Sequence, residues 1–266
     1  MNEKSEKLPL LNLVHLILYL LVITAWIVLF FIIQVHFSLW YLIIIQALIT
    51  TYFLFTRPQL FMSSLFLVLL LGTRFLPLPY AMWLANILIA LAVLYGLSLV
   101  VRPFKKLLPR LPIGHINSKI IIYIILTVII SSTALYIWNA ITRPDINSLI
   151  AEARKYSGSF ILPSIIIFSV FNALAEELVF RWLIWDGLIA LLRGVTFVIL
   201  IQAIIFGLSH FVGFPNGWLG VAMATIYGLM LGFIRFKSEG LLAPFLAHIF
   251  ADLTIIIVVF GRAGII

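Results

Sequence analysis

Three short clusters of polar residues interrupt otherwise apolar sequence: Ala175-Glu-Glu-Leu-Val-Phe-Arg181, Phe206-Gly-Leu-Ser-His210 and His248-Ile-Phe-Ala-Asp252. Together they hold Glu176, Glu177, Arg181, His210, His248 and Asp252, side chains of the kinds that move protons, hold water and stabilise developing charge. The chain has no cysteine, which removes thiolate nucleophiles, disulfides and cysteine-based metal sites together. An ionisable side chain within an apolar membrane helix costs at least about 2.5–3.5 kcal/mol on insertion scales, so such groups are rare and normally functional. Six of them on neighbouring elements require a site.

Spacing supports convergence. Glu177 and Arg181 stand at i and i+4, so they share a face and can pair, as do His248 and Asp252. Glu176 projects off the Glu177–Arg181 face, with no cation three or four residues away. The Glu177–Arg181 pair alone is equally open to a reading as a buried ion pair that fixes helix packing. Glu176 is harder to explain that way, and two histidines beside a carboxylate are hard to dismiss as satisfied core residues.

The elements that must carry these residues are membrane helices. Of the 266 residues 64% are hydrophobic and 10% charged, with a mean hydropathy of +1.24, well outside the range of a soluble domain. Nine apolar stretches run over residues 10–34, 38–55, 60–73, 80–101, 118–140, 160–183, 195–211, 217–235 and 241–260, against a requirement of about 20 residues per span. The expected fold is all-α, a polytopic transmembrane bundle of about eight or nine spans, since a lipid-exposed backbone must satisfy its own hydrogen bonds. The third stretch, between Pro58 and the pair Pro77/Pro79, is short enough to be re-entrant. Counting it as a span puts most Lys and Arg on the side of the N-terminus, which the positive-inside rule makes cytoplasmic. The excess of 17 Lys and Arg over 9 Asp and Glu then reads as topology signal and not as a nucleic-acid surface. The first apolar run is too long for a signal peptide and is expected to remain as a helix.

The two parts of the chain differ in kind. Residues 1–150 are expected to form scaffold helices; no acidic residue occurs over 10–101, and His15 and His36 are given no role. Residues 155–262 are expected to form the chemical core. Glu177 and His210 are nearly equidistant from an expected turn at Arg193–Gly194, which at about 1.5 Å per residue puts both roughly 25 Å from it. His248, counted from Glu239, comes out shallower unless residues 182–193 protrude past the bilayer. Gly228-Leu-Met-Leu-Gly232 is a small-xxx-small pattern, expected to let its helix approach its neighbours closely.

At these motifs the chain resembles the CPBP family of glutamic intramembrane endopeptidases, which includes CAAX prenyl proteases and bacterial bacteriocin-processing and immunity proteins. The family pattern of EExxxR, FxxxH and HxxxN or HxxxD on successive helices is matched by Glu176-Glu177-Leu-Val-Phe-Arg181, Phe206-Gly-Leu-Ser-His210 and His248-Ile-Phe-Ala-Asp252. The resemblance covers roughly residues 160–255. It implies a multi-pass protein of the bacterial cell membrane that cleaves a peptide or protein substrate at or in the bilayer, with no cofactor and no nucleic-acid partner. It further implies that Glu176 is general base to a water also held by His210, that His248 and Asp252 stabilise the oxyanion, and that Glu177 and Arg181 support the site. The family's usual residue at position 252 is Asn, which can donate to an oxyanion where an ionised Asp cannot. Either Asp252 carries a proton, or it accepts from His248 one turn earlier and leaves that imidazole as the oxyanion donor; the second is the expectation.

Two rivals use the same residues. Glu176, His210 and His248 make a conventional catalytic zinc set, although HExxH is absent. A proton-coupled transporter or immunity scaffold is the non-enzymatic alternative, against which stands the confinement of the polar residues to one end of the chain.

Overall fold

The computed structural model describes residues 10–32, 40–76, 83–155 and 158–265; His36, Pro77 and Pro79 lie outside them. Among the described residues the regular structure is helical throughout: α1 (Leu10–Ile27), α2 (Trp40–Thr56), α3 (Pro58–Gly72), α4 (Trp83–Val100), α5 (Arg102–Leu107), α6 (Ser118–Thr142), α7 (Asn147–Ala153), α8 (Ile161–Glu177), α9 (Trp185–Leu191), α10 (Val195–Ser209), α11 (Gly217–Ser238) and α12 (Leu242–Ala263). Within the described residues, each expected apolar stretch falls on a helix. Six helical stretches are long and apolar enough to cross a bilayer, and Trp40–Thr56, Leu84–Val100 and Val195–Ser209 are shorter apolar helices. The protein is an integral membrane protein.

The chain divides into two compact units, one formed by Met1–Pro109 with Leu183–Val198, the other by Arg110–Trp182 with Ile199–Ile266. In the first, α3 is the central helix, packed on α1, α2, α4, α5 and α9. This explains the weak apolarity of the third stretch: Ser63 and Ser64 face the interior, and Ser63 accepts a 2.8 Å hydrogen bond from the Tyr19 hydroxyl. His15 is buried and stacked on Tyr52, a packing residue.

The sixth stretch does not end near residue 183. Its backbone changes from α to π over Leu178–Ile184 and continues as α9, whose Trp185, Gly187, Leu188 and Leu191 are buried. Helix α9 packs on α1 and α3 within the first unit. At Gly187 any side chain would run into the Tyr19 ring. The turn itself falls where expected, between Leu191 and Val195.

In the second unit α12 is central, packed on α6, α7, α8 and α11. Packing thus groups α6 with the C-terminal helices, through Ile120 against Leu231, Ile234, Ala243 and Ala247. Asn117 caps α6 by accepting from Ile120 N at 3.0 Å. The extended segment that precedes α6 fixes the start of α12. Leu241 N donates to Pro112 O at 2.9 Å, Leu242 N to Ile113 O at 3.1 Å, and His115 N to Ser238 O at 2.9 Å, so orphan groups at two helix ends are satisfied at once. Gly114, at φ +80°, and Gly240 meet backbone to backbone there, leaving no room for a Cβ on either. The small-residue pattern of α11 behaves as expected: a Cβ on Gly228 would lie 3.1 Å from Ala203 Cα and 3.2 Å from the Phe206 ring, and one on Gly232 would lie 3.2 Å from Ile199.

Candidate active site

The site is built on four helices of the second unit. Helix α8 ends in Glu176 and Glu177, and the π turn after it carries Arg181; α10 supplies Phe206 and ends just before His210; α11 supplies Tyr227; α12 supplies His248 and Asp252. π turns of this kind occur often at functional sites. Glu176, Glu177, Arg181, His248 and Asp252 are all buried, none more than 7% exposed, and His210 is half-buried.

Glu177 is the hub of the cluster. Its Oε1 accepts from Arg181 Nη1 at 3.0 Å and from His248 Nδ1 at 2.7 Å. The carboxylate expected to orient His248 was Asp252, and the geometry corrects this. Asp252 Oδ1 is 3.8 Å from His248 Nε2, too long for a hydrogen bond, whereas Glu177 reaches the imidazole across two helices. The other face of His248 looks toward Glu176, with Nε2 3.5 Å from Oε2. That Oε2 has no hydrogen-bond partner among the described residues.

His210 donates its Nδ1–H to Phe206 O at 2.8 Å. A carbonyl can only accept, so the neutral ring carries its proton on Nδ1 and leaves Nε2 as a bare acceptor. The Phe206 ring collects the cluster: the Arg181 guanidinium lies over it at 4.2 Å, and its centroid is 4.5 Å from that of His210 and 6.0 Å from that of His248. The matching heights inferred for Glu177 and His210 are consistent with both helices meeting at this ring.

Three participants were not given roles from the sequence. Phe206 was visible only as a motif letter. Asn172 lies one turn before Glu176 on α8, and its Nδ2 donates to Asp252 Oδ2 at 2.9 Å and to Glu176 Oε1 at 3.4 Å; a lone amide at i−4 from a buried carboxylate was the available signal. Tyr227 sets its ring edge to face on His248 at 5.5 Å, and its hydroxyl has no partner among the described residues. Nothing local marked it.

Among the described residues no three His, Asp or Glu side chains are grouped to hold one metal ion. An apolar cleft of about 140 Å³ is walled by Leu111, Ile113, Leu174, Leu178 and Phe245, with Glu177 as its ionisable lining residue. A larger groove of about 280 Å³, lined by Tyr123, Leu126, Met230 and Phe233 among others, has no carboxylate or imidazole in its lining.

Fold and site together define a polytopic helical membrane protein with a buried carboxylate–histidine cluster. Residues 158–254 match the family model of the type II CAAX prenyl endopeptidases, Rce1-like. The matched stretch contains all three motifs. Comparison with curated proteins and with solved structures found no match. The family is one of peptidases, whose substrates are peptides or proteins in the membrane.

Proposed function

We propose that the protein is a glutamic intramembrane endopeptidase in which Glu176 activates water against a peptide bond of a membrane-associated or prenylated-type substrate. The observation that carries this reading is the division of labour between the adjacent glutamates. Glu177 Oε1 is held by both Arg181 and His248, while Glu176 has the single 3.4 Å contact from Asn172 on Oε1 and turns Oε2, which has no hydrogen-bond partner among the described residues, toward His248 Nε2.

In the proposed cycle a water lies between Glu176 Oε2 and His210 Nε2. Glu176 takes one of its protons as the oxygen attacks the carbonyl carbon, and the carbonyl π electrons move onto oxygen. The same carboxyl then gives that proton to the amide nitrogen as the C–N bond breaks, releasing an amine and a carboxylic acid. With a proton on each nitrogen, His248 holds Glu177 through Nδ1 and offers Nε2–H to the oxyanion. Preorganised donors of this kind contribute about 2.7–4 kcal/mol each where measured. The apolar cleft beside Glu177 suits an apolar substrate segment. We place the N-terminus on the cytoplasmic side.

The test is cleavage of a farnesylated CAAX-type peptide by purified protein in lipid nanodiscs, with intact and cleaved peptide quantified by mass spectrometry. The reaction as written uses no metal, so activity is expected to survive a zinc chelator. Loss on chelation, with recovery on adding zinc, would favour the metalloprotease reading of Glu176, His210 and His248.

A further inference from the structure

We infer that Asn172 is a positioning residue for Glu176, the amide that selects which oxygen of that carboxylate is left to take a proton. The inference rests on the proposed role of Glu176. Asn172 is buried on α8, and its Nδ2 has two hydrogens, one directed at Asp252 Oδ2 at 2.9 Å and the other at Glu176 Oε1 at 3.4 Å. The amide orientation is dictated by chemistry, since the flipped rotamer would set its oxygen against two carboxylate oxygens.

The contact divides the two oxygens of Glu176. Oε1 is occupied by Asn172, and Oε2, 3.5 Å from His248 Nε2, remains without a hydrogen-bond partner among the described residues. A carboxylate with one oxygen anchored presents the other in a fixed direction, which is what a general base within reach of a single water requires. Asn172 also offsets the presence of Asp at position 252. An Asp there adds a third carboxylate beside Glu176 and Glu177, and Asn172 is the neutral donor that lies between two of them. One amide therefore serves both the charge balance and the aim of the base.

The two duties can be separated by exchanging the pair. Asn172→Asp, Asp252→Asn, their combination and Asn172→Leu are compared with wild type in nanodiscs for kcat, KM and melting temperature, using the farnesylated CAAX-type peptide. Asn172→Leu should lower kcat by roughly tenfold to a hundredfold with KM within about twofold, the signature of a lost aim at the reacting atoms. Asn172→Asp should lower both kcat and the melting temperature. In the double exchange the Asn–Asp hydrogen bond is rebuilt with donor and acceptor reversed, but Glu176 Oε1 now faces a carboxylate. The melting temperature should therefore recover while kcat stays depressed by at least about tenfold.

Recovery of both quantities would reduce Asn172 to a structural partner of Asp252 and overturn the inference, as would wild-type kcat in Asn172→Leu. A wild-type protein that leaves the peptide intact would instead defeat the proposed function, and this inference with it.

Discussion

His248 donates its Nδ1–H to Glu177 Oε1 at 2.7 Å, joining α12 to α8 across 71 positions of sequence. The same oxygen holds the Arg181 guanidinium, so one carboxylate neutralises a buried arginine and orients the histidine. Glu177→Ala should uncover both groups, at a cost of about 3–5 kcal/mol for a buried charge left unpaired. Arg181→Ala should likewise lower stability together with activity. Thermal unfolding in nanodiscs measures this, and midpoints equal to wild type in both variants would show that the pair is not a structural element.

Because Glu177 and not Asp252 orients the imidazole, position 252 should tolerate loss of charge. Asp252→Asn is expected to keep measurable cleavage, since an amide oxygen still accepts from Asn172, while His248→Ala should lose about 10²–10³ in kcat, the scale of a missing oxyanion donor. Single-turnover rates of the two variants check the contrast. If Asp252→Asn were as inactive as His248→Ala, the negative charge itself would be required.

The closeness of α10 and α11 should be felt at the site. A side chain at Gly228 would press on Ala203 and on Phe206, the ring that touches Arg181 and both histidines. Gly228→Val is expected to destabilise by about 1–3 kcal/mol, the usual cost of overpacking, and to lower kcat through the displaced ring. Gly96→Val, at a position with open space around the missing Cβ, is the control. Equal melting temperature and kcat in both variants would remove Phe206 from the account.

Much of this was legible in the sequence, and the part that was not has a physical reason. Hydropathy located the nine apolar helices found among the described residues, and the cost of charge in lipid singled out Glu176, Glu177, Arg181, His210, His248 and Asp252. Helical spacing correctly paired Glu177 with Arg181, because an i, i+4 relation is local. The same rule misled at His248 and Asp252, where the stronger partner came from another helix and no intrahelical spacing could announce it. Depth counting placed His248 shallower than Glu177 unless residues 182–193 project from the bilayer, yet the two side chains meet at 2.7 Å; counting residues from a turn cannot register a segment that continues as π turn and a further helix. Tyr227 became visible only once α11 was set beside α12, and the contact of Asn172 with Asp252 only once α12 was set beside α8.

The central claim is that Glu176 is the base, and Glu176→Gln tests it most directly. The substitution keeps the shape of the side chain and its acceptor toward Asn172 but removes the proton-accepting carboxylate oxygen. Cleavage of the farnesylated CAAX-type peptide by the folded variant should fall by at least about 10²–10⁴, the contribution of a positioned general base, with the melting temperature near that of wild type. Cleavage at a rate comparable to wild type by a well-folded Glu176→Gln protein would contradict the account.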